Sequence, residues 1–274
     1  NDKRDWADSR LLRALCDGEA YAVPRLGDEE TVDKLQALKV YTQYRDLIST
    51  APLEIIYSGS ADLERVKQAL AAAFATLPRE EVRVISTAEP HVCRESVQYV
   101  EDVLDVTQGK LGMGFSCGSD DMPALLMGNT LFGGSSNSKL FLNVREKLSL
   151  CYYASSLYHR QKGLITVSSG IEFQNYQRAY DEIMAQLEAV QKGELEDWEL
   201  EGARSTLLNS YATVGDSQGK LENFYLGQAA TGQHETPADL ARAIQDMTAE
   251  RICRAMSTVK LDTVYFLKGK EAEA

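Results

Sequence analysis

The residues best suited to chemistry lie close together, between residues 131 and 156. Arg145 and Tyr152 stand seven residues apart in this stretch. A guanidinium group or a phenolic hydroxyl can donate to an oxygen on which negative charge develops during a reaction. A simpler role for the same residues is also open, in which Arg145 pairs with an acid on its own helix face and Tyr152 packs in a sheet.

A glycine turn, a short helix and a strand are predicted to position these two side chains. Gly133 and Gly134 can adopt positive φ and end the preceding helix, and Ser138 fits the N-cap of the next one. Apolar residues then recur at helical spacing and are expected to be buried: Leu140, Phe141, Val144 and Leu148. The opposite face carries Lys139, Asn143, Arg145 and Glu146. A strand is predicted from Tyr152 onward.

This stretch resembles the C-terminal half of the M16 zinc metallopeptidases, the insulinase, pitrilysin and mitochondrial-processing-peptidase type. The resemblance rests on Gly133-Gly134, Ser138, Leu140-Phe141, Arg145-Glu146-Lys147, Leu150 and Tyr152, and a weaker similarity covers nearly the whole chain. In active members, an Arg and a Tyr with this spacing reach from the C-terminal half to a zinc site in the N-terminal half. The resemblance therefore implies that both are catalytic: Tyr152 would donate to the tetrahedral intermediate, and Arg145 would hold the substrate backbone.

The loop Gly133-Gly134-Ser135-Ser136 also resembles a known substrate-binding element. The non-catalytic subunit of the processing peptidase uses a glycine-rich loop on its substrate, so the resemblance implies that these four residues bind substrate. A plain helix–helix turn is an equally open interpretation. The loop lacks the G-x-x-x-x-G-K-[ST] spacing, so it is not a phosphate-binding loop.

The zinc site of this family needs H-x-x-E-H on a helix plus a distal Glu, because two histidines one turn apart bind the metal and the Glu activates water. The chain has three histidines, His91, His159 and His234, and no two of them are near in sequence. We therefore assign no metal ligand and no cofactor to this chain, and we interpret each histidine as a surface residue. Zinc belongs to the complete active site that the resemblance implies.

Composition narrows the partners that are expected. The net charge is −12 and the pI about 4.8, which argues against nucleic acid. This charge indicates either a generally acidic surface or, more specifically, a negative electrostatic field that attracts basic peptides. No apolar run approaches the length of a membrane helix, so no membrane partner is expected. The opening Asn1-Asp2-Lys3, without Met, indicates a fragment of a longer protein.

Cysteine usage points to a reducing compartment. The five cysteines are scattered and no pair has CxxC spacing. Reduced thiols in a cytoplasmic protein are therefore expected. Cys151 is either a reactive thiol beside Tyr152 or a small buried residue.

The pattern of elements predicts an α+β fold of the M16 type, with a mostly antiparallel sheet covered on one side by helices. Strands are predicted at 53–57, 94–106, 110–117, 152–159, 163–171 and 262–267. Helices are predicted at 29–50, 63–77, 120–132, 176–192, 194–211, 221–231, 237–247 and 250–256. In the strand at 110–117, Gly112 and Gly114 face one side. Because glycines have no side chains, these two positions leave room either for a closely approaching backbone segment or for ordinary packing of a helix on the strand.

The chain is predicted to hold parts of two domains. Residues 79–95 are charged and irregular, which indicates a linker, with residues 1–87 forming the end of a truncated first M16 domain and 88–274 a second domain. An internal repeat supports this division, because Leu35-Gln36 and Leu38 match Ile244-Gln245 and Met247 without a gap. By the resemblance, the opening strands and the zinc helix of the first domain would precede Asn1.

Two functional interpretations follow. In the first, the chain is the non-zinc-binding half of a peptidase that acts on peptides or small proteins. Its zinc comes from the missing N-terminal part or from a zinc-bearing M16 subunit, and the assembly is a homodimer or heterodimer. The chain alone would then be inactive. In the second, it is a catalytically inactive M16 scaffold or peptide-binding subunit. The retained Arg145 and Tyr152 favour the first interpretation.

Overall fold

Strands of the described residues form a single mixed sheet. The structure is a computed structural model that describes residues 2–83 and 89–270. Its strands are β1 (Gln98–Leu104), β2 (Gly109–Cys117), β3 (Cys151–His159), β4 (Leu164–Ile171) and β5 (Val259–Gly269). Within the described residues these five strands lie in the order β1-β5-β2-β4-β3. β1 runs parallel to β5, and the other neighbours are antiparallel. The predicted α+β fold with an antiparallel-rich sheet is confirmed.

Helices fill the segments between and around the strands. They are α1 (Lys3–Leu15), α2 (Glu29–Asp33), α3 (Ala37–Thr50), α4 (Leu63–Phe74), α5 (Met122–Phe132), α6 (Tyr176–Lys192), α7 (Asp197–Ala212), α8 (Gln218–Thr231), α9 (Pro237–Gln245) and α10 (Ala249–Met256). Several ends follow local signals in the sequence. Thr236 and Asp239 form a reciprocal capping box at the start of α9, and Gly193 ends α6 with φ +76°. No helix of the described residues is long and apolar enough to cross a bilayer.

The described chain divides into two compact units. The first unit contains residues 2–23, 89–213 and 235–270, and the second contains residues 24–83 and 214–234. The sheet lies in the first unit. The predicted boundary near residue 88 falls outside the described residues, and the division into 1–87 and 88–274 stays a prediction.

The two faces of β2 carry different packing. Leu111, Met113 and Phe115 belong to the main core, together with buried residues of α5, α6 and α10. On the other face, Cβ atoms added at Gly112 and Gly114 would lie 3.1 Å and 2.7 Å from side-chain carbons of Leu11 and Leu15 in α1. The two glycines therefore make room for helix-on-strand packing. α1 therefore packs against the side of β2 that faces away from the main core.

Two predicted elements in the second unit differ from the structure. The helix predicted at 29–50 is interrupted, because Gln36 is extended (φ −115°, ψ 139°) and separates α2 from α3. Residues 53–57 form no strand. Their apolar side chains remain exposed, and no strand of the described residues pairs with them. A β-prone segment without a partner strand cannot satisfy its backbone hydrogen bonds, which accounts for the difference.

Candidate functional site

Arg145 is positioned by a π-helix, Leu140–Lys147. The Ser138 hydroxyl accepts a hydrogen bond from the Phe141 N–H at 3.4 Å, in agreement with its predicted capping role. Leu140 and Val144 are fully buried and anchor the helix in the main core. The Arg145 guanidinium lies over the Phe141 ring at 4.7 Å, and its Nε is 3.5 Å from Glu146 Oε1. The side chain is 40% exposed, so it is held at the surface.

One member of the predicted polar face is buried instead. Lys139 Nζ lies 3.0 Å from a carboxylate oxygen of Glu199, and both side chains are at least nine-tenths buried. The expectation that Lys139 faces solvent is therefore wrong. The physical reason is an acidic partner on α7, which lies far away in the sequence and is invisible to helical spacing.

The backbone between Arg145 and Tyr152 is irregular at three points. The π-helix ends with a hydrogen bond from Leu148 N–H to Asn143 O, five residues back. Ser149 then adopts φ +49°, in the left-handed region that non-glycine residues rarely occupy. The register of β3 against β4 shifts between Cys151 and Tyr153, which makes Tyr152 the extra residue of a bulge. Bulges, π-helices and strained residues are common next to functional sites, because they redirect side chains.

Tyr152 projects into solvent and contacts an acid that the sequence did not reveal as part of the site. Its side chain is 62% exposed. Its hydroxyl donates to Glu172 Oε1 at 2.7 Å, and this hydrogen bond raises the pKa of Tyr152. Glu172 directly follows β4. The predicted hairpin could have identified Glu172, because the start of β3 pairs with the end of β4 at Cys151 and Ile171.

Arg145 and Tyr152 line the same open cavity, of about 420 Å³. We call it the Arg145–Tyr152 cavity. The residues that line it include Arg145, Glu146, Ser149, Cys151, Tyr152 and Glu172. Cys151 is only 9% exposed and burial raises the pKa of its thiol, which favours its interpretation as a small buried residue. The arrangement offers hydrogen-bond donors from Arg145 and acceptors from two carboxylates within one recess.

The predicted substrate-binding loop is held by packing. Gly133 has φ −154°, so it does not use the positive φ that was expected of it, and Gly134 is not in the positive-φ region either. The Gly133 carbonyl accepts from the Ser156 N–H at 2.9 Å. Gly134 and Ser136 are exposed, while Ser135 Oγ donates to Thr130 O at 3.2 Å. None of these four residues lines the Arg145–Tyr152 cavity.

The three histidines differ in their surroundings. His234 is exposed, as expected. His159 is partly buried between the Tyr21 hydroxyl (3.0 Å) and Thr166 Oγ1 (2.9 Å), and burial lowers its pKa. The expectation of a surface residue is wrong for His91, whose side chain is 3% exposed.

His91 belongs to a buried polar network around Asp262. His91 Nδ1 lies 2.6 Å from Glu19 Oε1, and Nε2 lies 3.3 Å from Asp262 Oδ2. The backbone N–H of Arg94 donates to Asp262 Oδ2 at 2.8 Å, and Arg94 Nη1 to Oδ1 at 2.5 Å. Lys162 pairs with the second oxygen of Glu19. The four charged side chains and the imidazole thus contact one another across segments that are distant in sequence.

The same network decides whether the described residues suit a zinc ion. Ligand atoms of Cys16, Glu19 and His91 lie within 4.8 Å of one another, and across residues 2–83 and 89–270 this is the one such group of three. Burial raises the pKa of the Cys16 thiol to about 11, which opposes the thiolate that a metal needs. Glu19 is already paired with Lys162, and His91 with Asp262. These residues do not fit a zinc site, and the H-x-x-E-H ligands are not in the chain.

Comparisons with known proteins show which sequence family and which relative the chain resembles. Residues 34–207 match the sequence model of a family described as "Peptidase M16 inactive domain". The chain is 36% identical over 278 aligned positions to the "Probable inactive metalloprotease YmfF" of Bacillus subtilis, covering 99% of this chain and 64% of the relative. The chain therefore spans less than two thirds of the length of that relative.

Solved structures share the fold. A conserved protein from Enterococcus faecalis superposes with a TM-score of 0.88 at 25% identity, over 98% of this chain and 64% of the other. A peptidase M16 inactive domain from Pseudomonas fluorescens superposes with a TM-score of 0.78 at 17% identity, over 98% of this chain and 66% of the other. With the family match over more than half of its residues, this chain belongs to the M16 peptidase family.

Proposed function

We propose that this chain is a non-catalytic, peptide-binding part of an M16 protein, and that the Arg145–Tyr152 cavity holds the peptide. The observation that carries the proposal is the shared position of Arg145 and Tyr152 on one open cavity of about 420 Å³. The match to an inactive domain and the similarity to a relative named a probable inactive metalloprotease support the non-catalytic part of this proposal. The poor fit of the described residues to zinc supports the same conclusion.

The donors in the cavity suit an extended peptide. A guanidinium group presents several N–H donors in a planar fork, which can bind one or two backbone carbonyls. The phenolic hydroxyl of Tyr152 adds another donor at the cavity wall. The volume lies within the range of roughly 300–1,000 Å³ that is usual for small ligands, so a few residues of a peptide would fill it.

Peptide binding by the purified protein tests this proposal. We expect Tyr152→Phe to weaken binding of a fluorescently labelled peptide pool about fivefold, the effect of one lost hydrogen bond of about 1 kcal/mol. Arg145→Met should weaken it by about tenfold or more, because its hydrogen bonds are charge-assisted. Fluorescence anisotropy measures both effects. Tyr99→Phe is the matched control, since Tyr99 is equally exposed on β1 at the opposite edge of the sheet. Wild-type affinity in both cavity variants would contradict the proposal.

A second candidate function uses the same cavity. The chain would be one half of a split peptidase that acts on peptides or small proteins, with zinc supplied by another part of the polypeptide or by a zinc-bearing M16 subunit in a homodimer or heterodimer. The presence of both Arg145 and Tyr152 on one cavity favours it. Mixing the chain with a zinc-bearing M16 subunit separates the two candidates: cleavage that appears only in the mixture supports the split peptidase. Binding without cleavage in every combination supports the first proposal.

The proposal includes a cytoplasmic location. All five cysteines are free, and two of them, Cys16 and Cys151, are buried. Free thiols are typical of reducing compartments.

A further inference from the structure

The Arg145–Tyr152 cavity carries an unbalanced negative charge. Its charged residues are Arg145, Glu146 and Glu172. Arg145 Nε lies 3.5 Å from Glu146 Oε1, so these two charges offset each other. Glu172 accepts a hydrogen bond from the neutral Tyr152 hydroxyl. Within the described part of the chain, no Lys or Arg nitrogen lies within 4.0 Å of the Glu172 carboxylate. The charge that the cavity leaves without an opposite partner is therefore that of Glu172.

We propose that Glu172 binds the cationic side chain of a lysine or arginine in a bound peptide, and that this pairing releases the Tyr152 hydroxyl to donate to the peptide backbone. The inference rests on the proposed peptide-binding function and names the chemical class of the peptide. It makes Glu172 the residue that determines specificity in the cavity.

Hydrogen-bond strength explains why the two events are coupled. A carboxylate is a stronger hydrogen-bond acceptor than a peptide carbonyl. A carbonyl of a neutral peptide would therefore have to compete with Glu172 for the hydrogen bond from the Tyr152 hydroxyl. The hydrogen bond to Glu172 raises the pKa of Tyr152. An ammonium or guanidinium group neutralises the charge of Glu172 and weakens its hydrogen bond with the Tyr152 hydroxyl, which can then turn to a carbonyl. A cationic peptide therefore gains two interactions, and a neutral peptide gains neither at full strength.

The fold holds the two residues in this relation. Tyr152 is the bulged residue at the start of β3, and Glu172 follows the end of β4, next to the Cys151–Ile171 pair. The hairpin register therefore keeps the two residues adjacent, while the exposed Tyr152 side chain remains able to turn to other partners. The net charge of the chain, −12, favours the approach of cationic peptides in the same direction.

Arg145 does not offer an equivalent site for an acidic peptide. Its guanidinium already stacks on Phe141 at 4.7 Å and lies beside Glu146. An acidic side chain entering the cavity would also meet Glu172, which repels it. Of the two charge classes, the cationic peptide is the one that the cavity favours.

Two acetylated and amidated pentapeptides of alanine test the inference, one with a central lysine and one with norleucine of similar shape. Isothermal titration calorimetry against the wild-type chain should show the lysine peptide binding about tenfold tighter, the effect of one charge-assisted contact. Glu172→Gln should remove this preference, and Glu172→Lys should favour a glutamate peptide instead. Glu194→Gln, at an exposed site outside the cavity, is the control and should keep the preference.

A titration of ring-labelled tyrosine by NMR provides a second readout that does not depend on peptide. The Tyr152 signal, assigned with Tyr152→Phe, should titrate at a lower pH in Glu172→Gln than in the wild type. Equal binding of the two peptides to the wild type would overturn the inference and leave the proposed function standing. Failure of both peptides to bind, and of the labelled pool as well, would overturn both. An unchanged Tyr152 titration in Glu172→Gln would overturn the inference by itself.

Discussion

Asp262→Ala is expected to lower the free energy of unfolding of the first unit by about 3 kcal/mol. Asp262 is completely buried, and its carboxylate binds the backbone and side chain of Arg94, the Thr263 hydroxyl and His91. Removing one partner of such a network leaves the others desolvated without compensation. Urea denaturation followed by tryptophan fluorescence measures the effect, because both tryptophans, Trp6 and Trp198, belong to the first unit.

The pH dependence of the same variant provides an independent check. Burial alone would raise the pKa of Asp262, but the hydrogen bonds from Arg94, Thr263 and His91 outweigh it and hold the pKa below its ordinary value of 3.8. A carboxylate with a lowered pKa stabilises the fold above its unfolded-state pKa and loses that contribution on acidification. The difference between wild type and Asp262→Ala should therefore shrink below about pH 4. Asp120→Asn, at an exposed position, is the control. A loss as small as that of the control would contradict the role of the network.

Gly133→Ala is expected to destabilise the first unit by about 1–3 kcal/mol, the usual cost of overpacking. A Cβ at this position would lie 2.7 Å from the backbone nitrogen and from the hydroxyl oxygen of Ser156, and 2.7 Å from Leu140 Cδ1. The backbone contact is the decisive one, because β3 cannot move away without losing its pairing with β4. The loss would show as a lower urea midpoint of the tryptophan fluorescence.

Gly202→Ala is the matched control for Gly133→Ala. Gly202 lies within α7 of the same unit, and its nearest contact for an added Cβ is 3.7 Å away. Since alanine is the better helix former, the control should be more stable by up to about 1 kcal/mol. Should Gly133→Ala keep full stability and lose only peptide binding, the loop would act on substrate, as the resemblance implied, rather than through packing.

Sequence patterns predicted the site residues that a local motif identifies. They missed the residues whose positions depend on contacts between distant segments. Arg145 and Tyr152 could be chosen from spacing and from the surrounding motif, and the structure brings both to one cavity. Glu172 follows β4, 20 positions after Tyr152, and joins the site only through hairpin register. Asp262 and His91 are 171 positions apart, so no local pattern in the sequence could have shown that His91 is buried.

The fold shows the same division between local and distant information. Capping signals located the start of α9, and Gly193 located the end of α6. The repeat was less informative about burial. Ile244 is buried in the first unit, while its counterpart Leu35 in the second unit is half exposed. Equal sequence patterns led to different burial, because burial depends on the surface that packs against the pattern. The parallel pairing of β1 with β5 was likewise beyond prediction, since nothing near either strand specifies it.

The position of β5 in the sheet has a consequence for how the protein folds. β2, β4 and β3 are neighbours in the sheet and close in sequence, so they can pair early. β1 has β5 as its neighbour in the sheet. Gln98 of β1 pairs with Thr263 of β5, which is synthesised long after Gln98. A nascent chain emerging from the ribosome must therefore keep β1 unpaired until β5 has been synthesised. Closing so long a loop is slow. During that interval the exposed edges of β1 and β2 are open to wrong pairings.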